Sequence, residues 1–245
     1  MSNFDAEPIC EIARKTPAAI DVFEKFNIDY YCHGNRSFDD ACQSAGVDPL
    51  MVCREIEGAV RDHPEIDERL ECKTAFGLVD HIVERHHTFT RDEAVRLSAL
   101  FDVVCRTCGN AYPEFVELQR IFKTLCNDLF AHMKKEETVL FPHIKNLEAS
   151  QSENASLLPV QFESVKNQSR MLRLEHEESA NILRKMRKIS ADYGLPETAS
   201  SELARLYDGL RDFECDVHLH IHLENNVLFP LAAKIEDRRK QIPAS

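Results

Sequence analysis

The stretch HMKKEETVLFP at residues 132–142 recurs as HIHLENNVLFP at residues 220–230. Each copy holds a histidine, a glutamate four residues later, and then Val-Leu-Phe-Pro. Both copies lie in long segments rich in Leu, Ala, Glu, Lys and Arg, which favour helices. The repeat therefore indicates two duplicated helical units in an all-α protein.

The apolar periodicity decides which face of each helix carries the repeated polar pair. Residues four apart lie on one face of a helix, about 6 Å apart along the axis. His220 and Glu224 fill the steps between Val217 and Leu228 in an apolar stripe, and His132 and Glu136 do so between Leu129 and Leu140. One such pair is typical of a solvated or ion-paired face. Two buried copies instead predict a bound metal cation, because an unpaired core carboxylate costs several kcal/mol.

Two further helices add one histidine each. In the first helix the apolar stripe admits either His86 or His87, and periodicity leaves both open. In the third helix it places His176 inward, with Glu175 and its neighbours Glu177 and Glu178 solvated. Four imidazoles and two carboxylates without a thiolate suit a pair of iron or manganese ions and leave room for an oxo or hydroxo bridge. If both glutamates bridge, each metal receives two histidine nitrogens and two carboxylate oxygens, and we predict a site for two non-haem iron ions.

Charge and composition divide the chain into three parts. Residues 1–62 contain short helices with clear starts and form a small helical domain. Residues 63–75 are charged and contain a proline, which predicts a linker. Residues 76–245 form an antiparallel four-helix bundle, with helices near 75–104, 113–147, 163–190 and 197–237.

The same composition excludes several classes of function. A formal net charge of -12 argues against nucleic-acid binding. No signal-peptide pattern and no apolar run of about 18 residues is present, which predicts a cytoplasmic protein without membrane spans. Nine scattered cysteines predict reduced thiols, and the pair Cys105 and Cys108 lacks a second pair at zinc-finger spacing. The histidines outside the ligand set are expected on surfaces or around the ligands: His81, His86, His143, His218 and His222.

With these motifs the chain resembles hemerythrin-like di-iron proteins of the repair-of-iron-centres type, which act on iron-sulfur clusters damaged by nitric oxide or oxidants. The resemblance rests on DHIVERHH, HMKKEETVLFP, LEHEES and HIHLENNVLFP, and on FEKFNIDYYCHG in a small ScdA-like domain. It implies the metal ligands His87, His132, Glu136, His176, His220 and Glu224, with both glutamates bridging. It also implies a homodimer and a role in nitrosative or oxidative stress.

The sequence departs from this family at one motif. The family carries adjacent cysteines followed by two glycines, whereas this chain has Tyr31-Cys32-His33-Gly34. A vicinal dithiol is impossible here. Cys32 is then either a lone redox thiol that meets a partner or cluster, or a buried structural cysteine.

The leading hypothesis is a repair protein, rather than an enzyme, that supplies iron or removes nitric oxide so that damaged iron-sulfur proteins recover. A second hypothesis is reduction of nitric oxide to nitrous oxide at the two irons. A third is a sensor that binds oxygen or nitric oxide reversibly and signals through the N-terminal domain.

Overall fold

A computed structural model describes residues 4, 6–62, 74–108, 113–150, 164–197 and 199–240. Their regular structure is helical, apart from one isolated bridge between Pro8 and Ser37. The N-terminal module comprises α1 (Ile9–Lys15), α2 (Ala18–Lys25), α3 (Phe38–Ala45) and α4 (Pro49–Asp62). The predicted all-α fold class is confirmed. Most of the predicted linker, residues 63–73, lies outside the described residues, and Ala75 already begins the bundle.

Four long helices follow, and three of them contain a π-helical segment. The first bundle helix comprises α5 (Ala75–His81), a π segment (Ile82–His87) and α6 (Thr88–Cys108). The second comprises α7 (Pro113–Lys135), a π segment (Glu136–Leu140) and α8 (Phe141–Ala149). The third is α9 (Val165–Ile189), and the fourth comprises α10 (Ser201–His222), a π segment (Leu223–Leu228) and α11 (Phe229–Lys240).

Capping side chains explain where the third and fourth bundle helices begin. The hydroxyl of Ser164 accepts a hydrogen bond from the Asn167 amide, and that of Ser200 accepts one from the Leu203 amide. Each satisfies an N–H group that the first turn of a helix leaves unpaired. The predicted start of the fourth helix at 197 was therefore several residues early.

The π segments have local causes in the sequence. Pro142 and Pro230 have no N–H to donate to the preceding turn, and each is the second residue after a π segment. In the first helix the hydroxyl of Thr88 donates to the carbonyl of Val83, five residues back. A π turn inserts one extra residue and re-aims the neighbouring side chains, and such turns are frequent at functional sites.

The bundle core changes character along its length. Around α6, α7 and α10 it is apolar, with Phe122 between Phe101 and Phe213 at ring distances of 5.3 and 5.4 Å. Towards the π segments, buried histidines and glutamates replace the apolar side chains. None of the described helices is long and apolar enough to cross a membrane.

The N-terminal module packs on the fourth bundle helix beside this polar layer. Tyr31 stacks on His218 with ring centroids 3.8 Å apart, and Glu24 accepts a hydrogen bond from His218 Nδ1 at 3.0 Å. The hydroxyl of Tyr30 donates to the same carboxylate at 2.9 Å. The loop at residues 28–34 therefore lies against the bundle next to its polar layer.

Candidate metal centre

Six buried side chains from all four bundle helices meet in the polar layer. They fall into two groups of four, whose ligand atoms lie within 4.8 Å of one another: His87, Glu136, His220 and Glu224 in one, and His132, Glu136, His176 and Glu224 in the other. Their exposures range from 0% to 3%. These are the six positions predicted as ligands from the sequence, and the structure brings all of them together.

Each glutamate faces one histidine from each group. Glu136 Oε1 lies 3.0 Å from His132 Nε2, and its Oε2 lies 3.5 Å from His87 Nε2. Glu224 Oε2 lies 3.0 Å from His176 Nε2, and its Oε1 lies 3.2 Å from His220 Nε2. The two oxygens of each carboxylate are thus directed to different groups, as a bridging ligand requires.

The central carboxylates lack hydrogen-bond partners, and the central imidazoles pair through Nε2 only with each other. All four carboxylate oxygens of Glu136 and Glu224 are buried without a hydrogen-bond partner. The imidazoles also face each other through nitrogen, with Nε2 of His132 and His176 2.9 Å apart and Nε2 of His87 and His220 3.3 Å apart. Converging lone pairs of this kind fit metal cations with nitrogen and oxygen ligands, such as iron or manganese.

Electrostatics supports the same fit. Burial lowers the pKa of His132, but the nearby Glu136, Glu175 and Glu224 outweigh burial and raise it to about 10. The pKa of His220 is also raised, because Glu224 and Glu136 outweigh its burial. Burial raises the pKa of Glu224, while His220 and His176 outweigh it and hold that pKa well below its usual range. The site therefore favours Glu224 in the charged form, and positive charge on the imidazoles or on a metal must accompany it.

Three of the central histidines are oriented through Nδ1. His87 Nδ1 donates to Glu137 at 2.7 Å, and Arg91 donates to the same carboxylate at 2.6 Å. His132 Nδ1 donates to Glu175 at 2.8 Å, where Lys135 also donates. Such bonds fix the tautomer and leave the Nε2 lone pair for a metal.

The third Nδ1 partner comes from the fourth helix. His176 Nδ1 donates to Asn225 Oδ1 at 3.0 Å. The expectation that Glu175 is simply solvated was therefore wrong, and Glu137 and Asn225 were missed. Glu137, Glu175 and Asn225 are each adjacent in the sequence to a predicted ligand. Helical periodicity alone gives no weight to such neighbours, because adjacent residues point in different directions from a helix.

The phenylalanine of each repeated Val-Leu-Phe-Pro motif covers a ligand. Phe141 stacks on His87 at 5.7 Å, and Phe229 lies parallel to His176 at 6.1 Å with an interplanar angle of 4°. The duplication thus supplies a matching apolar wall on each side of the centre. Apolar walls limit the access of water to the charged groups.

The remaining histidines surround the centre or lie apart from it. His86 is buried, donates through Nδ1 to Asp216 at 2.9 Å and stacks on His220 at 6.0 Å. His218 and His222 are buried as well, but beneath the N-terminal module. His143 is buried and His81 is partly exposed.

Seven cysteines lie within the described residues, and none of them forms a disulfide bond. Cys32 is partly buried, and burial together with the charge of Asp29 raises its pKa. Cys105 Sγ approaches the carbonyl of Phe115 at 3.5 Å, while the side chain of Cys108 lies outside the described residues. Of these thiols, none contributes to the two groups of candidate ligands.

Two family models match this chain. The hemerythrin HHE cation-binding domain matches residues 78–232, more than half of the chain. ScdA_N, described as a domain of unknown function (DUF542), matches residues 5–60. These ranges coincide with the bundle and with the N-terminal module.

Curated relatives resemble the chain over nearly its whole length. Iron-sulfur cluster repair protein ScdA of Staphylococcus haemolyticus is 27% identical, covering 90% of this chain and 95% of the relative. Iron-sulfur cluster repair protein YtfE of Shigella boydii is 28% identical, covering 92% and 96%. A probable iron-sulfur cluster repair protein of Haemophilus influenzae is 24% identical, covering 93% and 97%.

Proposed function

Because this chain belongs to the hemerythrin HHE cation-binding family, we propose that its bundle holds two iron ions and that the protein repairs iron-sulfur clusters damaged by nitrosative or oxidative stress. One iron is held by His87 and His220 and the other by His132 and His176. Glu136 and Glu224 bridge the two ions. Iron-sulfur proteins with damaged clusters are the clients.

One observation carries this proposal: two four-residue groups share both glutamates, and each carboxylate directs its two oxygens to different groups. A structural zinc site closes one tetrahedron with four ligands. Two adjacent sites with only four imidazoles and two shared carboxylates leave coordination positions for small molecules. When bound, the irons supply redox chemistry and a binding position for nitric oxide or oxygen.

The surrounding residues suit a centre that can release as well as hold its ions. Neutral imidazoles outnumber carboxylates, so two ferrous ions are not fully neutralised by the protein. Glu137 and Glu175, which orient His87 and His132, are each 30% exposed and paired with Arg91 and Lys135 at the surface. We infer that the protein either supplies iron to a client or removes nitric oxide from it.

Three further features belong to the same proposal. The protein acts as a homodimer and in the cytoplasm, where reduced thiols such as its seven described cysteines persist. The N-terminal domain at residues 1–62 is a separate functional module that meets the client. Cys32 is its candidate redox thiol, reacting only when its burial is relieved.

Repair can be tested directly with the purified iron-loaded protein. A [4Fe-4S] enzyme inactivated by nitric oxide should regain activity with the loaded protein, and a variant with Glu224→Ala should fail. Labelled iron that appears in the client identifies iron supply. Nitrous oxide formed anaerobically above the level of the metal-free protein identifies nitric oxide reduction instead. No recovery, with no labelled iron in the client, contradicts the repair function.

A further inference from the structure

A hydrogen-bonded relay runs from the backbone of the N-terminal module to one candidate ligand. Asn225, which is 2% exposed, lies in the π segment of the fourth helix, directly after Glu224. Its Oδ1 accepts from His176 Nδ1 at 3.0 Å, and its Nδ2 donates to the carbonyl of Tyr31 at 3.4 Å. Arg173 donates to its backbone carbonyl.

The polarity of this relay is set at its module end. A backbone carbonyl can only accept, so Tyr31 selects the NH2 group of the Asn225 amide. The amide oxygen must then face His176, and it can only accept from Nδ1–H. That tautomer leaves Nε2 of His176 as a lone pair towards the centre. With the opposite amide orientation, Nε2 would carry the proton and could not bind a metal.

Of the three ligands oriented through Nδ1, His176 alone depends on the module for its tautomer. His87 and His132 are oriented by Glu137 and Glu175, whose carboxylates are acceptors in any orientation. Both carboxylates also belong to the bundle. The group containing His132 and His176 is therefore the one whose metal binding responds to the position of the loop at residues 28–34.

Resting on the proposed two-metal centre, we propose that Asn225 is a positioning residue through which the docked N-terminal loop fixes the tautomer of His176 and thereby controls one of the two metal subsites. The neighbouring Asn226 holds the same loop without touching a ligand. Its Nδ2 donates to the carbonyls of Tyr30 and Tyr31 at 3.2 and 3.1 Å.

The loop can be displaced without altering either side chain of the relay. A Cβ atom on Gly34 would lie 2.6 Å from Cys10 Cβ and 2.9 Å from both amide atoms of Asn226. Gly34→Ala therefore forces the loop away from α1 and from the fourth helix. Asn226→Ala weakens the same docking more gently, by removing two hydrogen bonds, and serves where Gly34→Ala fails to fold.

The test is a double-mutant cycle on the full chain with two readouts. The number of irons that each chain retains against a chelator shows whether one or both subsites are weakened. Long-range 1H–15N spectra of the metal-free protein report the tautomer of His176. Asn225→Leu should weaken one subsite about 10- to 100-fold and leave about one iron per chain. The loop variant, Gly34→Ala or Asn226→Ala, should also leave about one iron per chain when Asn225 is present. Combined with Asn225→Asp, it should cause no further loss of iron, because a carboxylate accepts in either orientation.

Three results would overturn the relay. Unchanged iron retention and an unchanged His176 tautomer in Asn225→Leu contradict it while leaving the proposed function intact. Equal losses from the loop variant with and without Asn225→Asp contradict the dependence on amide orientation. A wild-type protein that binds no iron contradicts both this inference and the proposed function.

Discussion

His132 and His176 face each other from neighbouring helices with their Nε2 atoms 2.9 Å apart. Each ring donates through Nδ1 to a fixed acceptor, so both Nε2 atoms present lone pairs when the rings are neutral. Two lone pairs at this distance repel, so a proton, which the raised pKa of His132 of about 10 favours in the metal-free protein, or a bound metal must lie between the rings and the carboxylates. A metal that displaces this proton meets ligands that the fold already holds in place.

Removing the metal should destabilise the protein. Metal that binds only the folded state adds about 2.7 kcal/mol for one site at a hundred times its dissociation constant. For a chain of this size the melting temperature should fall by at least about 5 °C after chelation and recover on adding ferrous iron. Calorimetry of the loaded and metal-free forms measures this. The Glu224→Ala variant serves as the control, because its melting temperature should not respond to iron.

The ligand variants should fall into two classes. Glu136→Ala and Glu224→Ala each remove a carboxylate that both groups share, so iron content should fall from about two ions to near zero. His87→Ala removes a ligand from one group alone and should leave about one ion. Metal analysis and Mössbauer areas distinguish the classes. The same residual iron in all three variants would contradict bridging by the glutamates.

The sequence predicted the fold and the inward residues because both follow from apolar periodicity. An apolar stripe is interrupted in duplicate by the same histidine and glutamate, a pattern that solvated or ion-paired helix faces rarely produce. Glu137, Glu175 and Asn225 escaped because contacts between helices, rather than spacing within a helix, determine their partners. The π turns rotate the following residues away from ideal positions, so a helical wheel also misplaces Asn225.

His218→Ala should separate module docking from metal binding. The change removes the stacking on Tyr31 and takes from Glu24 its imidazole partner. The free energy of unfolding, measured in urea, should fall by about 1–3 kcal/mol, because a largely buried carboxylate loses a hydrogen bond. Iron content should stay at about two ions per chain, because Asn225 and Asn226 still hold the backbone carbonyls of the loop at residues 28–34.

His33→Ala is the matched control for that variant. His33 pairs with Asp29 at 2.6 Å but is 36% exposed, so its loss should cost only about 0–1 kcal/mol. Iron loss in His218→Ala as large as in Glu224→Ala would contradict the assignment of His218 to docking. Equal stability of the two histidine variants would contradict the energetic role of the buried pair.

Thiol reactivity should reveal how tightly the module is docked. The thiolate is the nucleophile, and burial with the charge of Asp29 raises the pKa of Cys32, while burial raises that of Cys126 to about 12. Alkylation of the folded protein should therefore be slow at pH 8 and rise about tenfold per pH unit without a plateau near 8.5, the ordinary pKa of cysteine. The unfolded chain ionises first, so these two thiols stabilise the fold below about pH 8.5 and lose that contribution as pH rises. Peptide mapping after brief iodoacetamide treatment measures both rates, with the unfolded protein as control.

Asn226→Ala should speed the labelling of Cys32 and leave the labelling of Cys126 unchanged, because only Cys32 lies in the loop that Asn226 holds. Faster labelling at both positions would show general loosening of the fold instead.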